Sequence, residues 1–169
     1  MTLTFVFALA AILVLPSQAA TRKVKNQDFT STISTVKKKA VTAKKGTQTV
    51  KLLGSGGFLK FKAPKTKTYT FTGYGVKKPS GEYSSYGYFY LMTVSGSGSY
   101  KYLKINNVKT KGGKNTALYI NSNKNSTSGK KATRSLKSRS GSIKLKKGQT
   151  VYIYSWFTSK KTSYKLKIK

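Results

Sequence analysis

The sequence predicts an all-β fold, an antiparallel β-sandwich of jelly-roll type with about eight or nine short strands. Three observations carry this. Apolar and aromatic residues recur with period two in run after run. Each run is bounded by Gly, Asn, Ser or Pro. No window keeps a helical period of 3.6 over about eleven residues.

The runs follow in order. Val50 and Leu52 alternate with Thr49 and Lys51. Phe58, Leu59 and Phe61 follow the turn signal Gly54-Ser55-Gly56-Gly57. Lys67 to Thr72 alternates cleanly, with Tyr69 and Phe71 on one side. Ser84 to Val94 is rich in Tyr, Phe and Thr, and Tyr100 to Val108 and Thr116 to Ile120 are further strand-like runs. Ile143 to Lys146, Val151 to Phe157 and Tyr164 to Lys169 complete the series. Asn121 to Gly141 reads as a long basic loop.

Residues 20–47 read as a loose basic arm with one edge strand at Thr30–Val36, ahead of a sandwich domain over 48–169. Residues 1–19 read as a cleaved signal peptide. Leu3 to Leu15 is apolar and uncharged, Ser17 and Ala19 suit a peptidase site, and the run is shorter than the ~20 residues of a spanning helix. No Lys or Arg precedes it, so an uncleaved anchor or an upstream start stays open. A secreted chain without Cys points to a bacterial source.

Composition excludes more than it assigns. Lys and Arg number 34, Asp and Glu 2, and the net charge is +32. Without His or Cys there is no thiolate nucleophile, no disulfide and no ordinary zinc site. Asp28 and Glu82 alone cannot build a calcium cage or a carboxylate pair of glycosidase type. We expect no cofactor, no metal and no catalytic residues. The matches to S-x-x-K at Ser34–Lys37 and Ser128–Lys131 are what chance supplies in a Ser- and Lys-rich chain, and their supporting motifs are absent. Gly54–Gly57 and Gly73-Tyr74-Gly75 lack the helix and the Lys-Ser/Thr ending of a phosphate loop.

Three segments resemble a known family. Phe58 to Phe71 resembles the F-x-A-P-x-x-G-x-Y-x-F hairpin of bacterial pre-peptidase C-terminal (PPC-like) domains. Leu145 to Tyr154 is similar to their L-x-x-G-x-x-Y-Y-I hairpin, and Tyr164 to Ile168 to their closing Y-x-L-x-I strand. Lys67 replaces the turn glycine of the first motif, and the acidic residues that bind calcium in some members have no counterpart. The resemblance implies a non-catalytic, jelly-roll-like accessory domain linked to secretion, substrate binding or surface association.

Two candidate surfaces follow from the residues. Tyr152, Tyr154 and Trp156 share one face of a strand and form an aromatic platform suited to a sugar ring, provided that Val151 and Ile153 point inward. The alternative is that both faces are buried. Tyr83, Tyr86, Tyr88 and Tyr90 are weighed in the same way, with packing the expected role of Tyr88 and Tyr90. The second surface is basic: Lys144, Lys146, Lys165 and Lys167 at outward strand positions, with Lys130, Lys131 and Arg134 in the long loop. Two acids cannot neutralise such a surface, so its countercharge comes from ions or from a polyanion.

The expected partner is an anionic cell-envelope or extracellular polysaccharide, and the expected location is extracellular, with cell-surface association. Nucleic acid is not expected, because a secretion signal is present and a recognition helix is not. Peripheral contact with anionic membrane stays open, and oligomeric state is undetermined. A neutral-carbohydrate-binding module and a cationic antimicrobial or toxin-like protein are the alternatives.

Overall fold

The computed structural model describes residues 19–82, 85–94, 98–103, 109–110, 113–114, 117–122 and 136–169. The expected signal peptide, apart from Ala19, lies outside the described residues. In order, the elements are β1 (Thr21–Val24), α1 (Ile33–Lys39), β2 (Val41–Thr42), β3 (Gly46–Leu52), β4 (Gly56–Lys62), β5 (Lys67–Lys77) and β6 (Tyr86–Val94). Then come β7 (Tyr100–Tyr102), β8 (Lys109–Thr110), β9 (Gly113–Lys114), β10 (Ala117–Asn121), β11 (Ser138–Leu145), β12 (Thr150–Phe157) and β13 (Ser163–Ile168).

Two sheets pack face to face as a β-sandwich. The first has the order β1-β3-β13-β5-β11. The second runs β10-β6-β12-β4-β2, with β7 also paired to β6. The pairs are antiparallel except at two edges, where β1 lies parallel to β3 and β2 parallel to β4. The expected antiparallel sandwich is therefore a mixed one.

Alternation builds the core. Val50, Leu52, Tyr69, Phe71, Leu166 and Ile168 of the first sheet meet Leu59, Phe61, Phe89, Leu91, Val151 and Ile153 of the second. All twelve are buried. Because β-strand side chains alternate, each inward residue leaves a Lys, Thr or Ser neighbour facing out on the first sheet.

Both motifs expected as hairpins are connections between the sheets. β4 and β5 lie in different sheets, and so do β11 and β12. The two connections run side by side: Ala63 donates to the Gln149 carbonyl at 2.9 Å, and Gly148 donates to the Ala63 carbonyl at 2.8 Å. The Tyr69 hydroxyl pins the first by donating to the Lys65 carbonyl at 2.9 Å. Gly148 turns the second with φ +80°, a conformation that glycine adopts without steric cost.

Residues 20–47, expected as a loose arm, join both sheets. β1 pairs with β3 over Thr21–Val24, and β2 pairs with β4. The edge strand expected at Thr30–Val36 is displaced by α1. Its Thr32 hydroxyl accepts from the Thr35 amide at 3.3 Å, capping the first turn. Lys37, Lys38 and Lys39 in the last turn complement the helix dipole. A helix of 7 residues is marginal by itself. It is held because Val36 and Ala40 pack on Phe58, Met92, Tyr152 and Tyr154 of the second sheet.

Of the expected 121–141 loop, Asn121 belongs to β10 and Ser138 to Gly141 to β11, and residues 123–135 lie outside the described residues.

Candidate binding faces

The outer face of the first sheet is basic and hydroxylic. Tyr164, Leu166 and Ile168 point inward, so Ser163, Lys165 and Lys167 point outward on β13. The same parity presents Thr47, Thr49 and Lys51 on β3, and Thr68, Thr70 and Thr72 on β5. It also presents Ser140, Ser142 and Lys144 on β11, and Lys23 on β1. Hydroxyl pairs tie β5 to β11 across this face: Thr70 to Ser142 and Thr72 to Ser140, both at 2.8 Å. Tyr74 stands beside Lys165 in register and is half-exposed.

The charges are unusually crowded. Lys23 lies directly opposite Lys51 in the β1–β3 ladder, and both are exposed. Like charges in directly opposed strand positions destabilise a sheet. Strands lie ~4.8 Å apart, and alternate residues of one strand are ~6.7 Å apart. Each pair of unit charges at ~7 Å repels by about 0.6 kcal/mol in water before screening. Neither carboxylate relieves this face. Asp28 precedes α1, which covers the second sheet, and Glu82 accepts from the Ser159 hydroxyl at 3.3 Å in the β5–β6 connection.

The predicted basic residues separate accordingly. Lys144 and Lys165 stand exposed on this face, with Lys167 partly so. Lys146 is exposed in the turn beyond β11, where its amide donates to the Gln149 side-chain oxygen at 3.0 Å. Lys130, Lys131 and Arg134 lie outside the described residues. Lys23 was missed because β1 falls in the segment read as an arm, and Lys51, though read on an alternating strand, was not singled out. The triplet Thr47-Thr49-Lys51 was the available signal.

The aromatic platform is corrected. Val151 and Ile153 do point inward, but Tyr152 and Tyr154 are only 7% and 3% exposed. α1 and the chain before it cover them, so no three-ring platform faces solvent. Burial raises the phenol pKa of Tyr152 and pushes that of Tyr154 up to about 12.

Trp156 remains half-buried and joins a different row. The β-ladder aligns Tyr119, Tyr88, Trp156 and Gly56 across four strands. Trp156 stacks on Tyr88 with ring centroids 5.6 Å apart, and Tyr88 meets Tyr119 edge-on at 5.7 Å. Tyr88 and Tyr90 pack as expected, with centroids at 4.9 Å. Tyr86 is 51% exposed, and Tyr83 lies outside the described residues.

The two surfaces thus sit on opposite sides of the sandwich: lysine and hydroxyl groups on the first sheet, aromatics on the second. No family model, no curated protein and no solved structure matches this chain.

Proposed function

We propose that this is a secreted, non-catalytic binding protein whose basic sheet face holds an anionic extracellular polymer, foremost that of a bacterial cell envelope. One observation carries the reading. Lys23, Lys51, Lys144, Lys165 and Lys167 share a hydroxyl-lined sheet face that has no carboxylate and opposes two lysines directly. A polyanion laid across these strands relieves the repulsion and releases its own counterions, while the Thr and Ser hydroxyls donate to its oxygens. A face ordered by backbone ladders costs little conformational entropy on binding. The kinship with pre-peptidase C-terminal domains is part of this proposal. Its three motifs fall on β4–β5, β11–β12 and β13.

Retention on purified cell wall tests the reading. It should be firm at low salt and fall steeply by ~200 mM. Exchanging Lys51, Lys165 and Lys167 together for Gln should abolish it and flatten the salt dependence. Absence of retention at low salt overturns the proposal. Leakage of anionic but not zwitterionic vesicles would replace it with the antimicrobial reading.

A further inference from the structure

We propose a second, separate binding site, for a neutral pyranose ring of a saccharide, in the cleft between Asn26–Asp28, the Gly54–Gly56 turn and Trp156. The cleft has a volume of about 390 Å³, within the ~300–1,000 Å³ range of small-molecule sites. Asn26, Asp28, Ser55 and Lys160 supply polar groups, and Leu53 and Trp156 supply apolar surface. Leu53 is 46% exposed, one of three exposed large apolar side chains among the described residues.

Backbone bonds hold the rim from both sides. Leu53 donates to the Val24 carbonyl at 2.9 Å and Gln27 to the Gly56 carbonyl at 3.1 Å. On the other side, Phe157 donates to the Ser55 carbonyl at 2.8 Å and Lys161 to the Gly54 carbonyl at 3.1 Å. Gly54 has no Cβ because the Asn26 side chain fills that position. Sequence-distant groups are thereby fixed around one space, as an orienting site requires.

Packing and turn formation account for part of this arrangement and leave a remainder. Tyr88 covers one face of the Trp156 indole. Asp28 Oδ1 accepts from the Thr30 amide at 3.0 Å and its hydroxyl at 2.7 Å, and from the Ser31 hydroxyl at 3.5 Å. The Asp28 side chain is exposed where it lines the cleft. Gln27 borders the cleft at 5% exposure, and neither its Nε2 nor its Oε1 has a hydrogen-bond partner. Those atoms are closed off from solvent, so the groups that meet a ligand are Asn26, Asp28, Ser55 and Lys160 on the lining.

The charge pattern selects the class. Asp28 disfavours an anion and Lys160 disfavours a cation. A neutral sugar uses both, giving hydroxyl protons to the carboxylate and accepting from the ammonium. Its C–H face suits the apolar Leu53 and Trp156 surface. The cleft sits at one end of the sandwich, where the chain leaving β1 and β3 meets β4 and β12, and none of the five lysines of the basic face lines it.

Trp156 is the chain's one tryptophan, so its emission reports on this cleft. The full protein should be titrated in 1 M NaCl, where lysine-driven binding is screened, with oligomers of glucose, galactose, mannose and N-acetylglucosamine. At least one series should change the emission saturably. Asp28→Asn keeps the Oδ1 acceptor and the turn, and should weaken binding about tenfold without changing the melting temperature. Lys160→Met, at an exposed position, is the second variant and should weaken it several-fold. Emission unmoved by every sugar, or full affinity in both variants, overturns the site. Cell-wall retention at low salt is read separately, so failure of either proposal is visible without the other.

Discussion

The hydroxyls of Ser155 and Tyr164 meet at 2.6 Å in the middle of the sandwich, one from each sheet. Both side chains are buried, and burial raises the Tyr164 pKa. Removing one partner strands the other in an apolar core. Ser155→Ala should therefore cost about 1–3 kcal/mol. Tyr164→Phe should cost a similar amount. The double variant should cost clearly less than the sum, because no unpaired hydroxyl remains. Urea unfolding of the four proteins measures this, and strict additivity would count against the pairing.

The Lys23–Lys51 opposition predicts opposite effects on stability and binding. Lys51→Thr should raise the melting temperature at low ionic strength by relieving like-charge repulsion. The gain should shrink as salt is added. The same variant should weaken retention on an anionic polymer. Thermal melts at 10 and 300 mM salt, run beside the binding assay, check both signs.

Tyr154 predicts a pH effect. Burial, then the neighbouring Tyr88 and the Asp28 carboxylate, hold its pKa near 12, above the ordinary ~10. A pKa raised on folding favours the neutral phenol in the native state. Its contribution is complete below pH ~10 and is lost as pH climbs towards 12. Wild type should therefore lose stability relative to Tyr154→Phe across that window. Lysine deprotonation occurs in both proteins and cancels from the difference. Parallel stability curves from pH 9 to 12 would disprove this.

Two glycines should respond differently to Ala. A Cβ on Gly87 would collide with the Trp156 carbonyl oxygen and the Phe157 ring. Backbone cannot swing aside as a side chain can, so Gly87→Ala should destabilise severely, by more than about 3 kcal/mol. Gly148 has nothing within 4 Å of a Cβ, and only its φ of +80° opposes substitution. Gly148→Ala should cost about 1–2 kcal/mol. Denaturant midpoints rank the two.

Much of the sandwich was legible. The runs around Tyr69 and Leu166 alternate because one face of each strand is dry, and the turn residues mark where each run stops. Residues 25–40 were not legible in this way. α1 is too short to carry a helical period, and it forms because Val36 and Ala40 find Phe58 and Met92. The same packing buried Tyr152 and Tyr154, so the aromatic platform failed on a segment distant in sequence. Period two shows which residues share a face, but not whether that face is covered.

Strand content, the outward lysines and the excess of positive charge were determined by the sequence alone, since alternation and ionisation are local properties. Tertiary structure decided the rest. It set Lys23 against Lys51, covered one aromatic face with α1, and brought Asn26, Asp28, Ser55 and Trp156 around one cleft. These are relations between residues far apart in the chain, and only strand order and register bring them together.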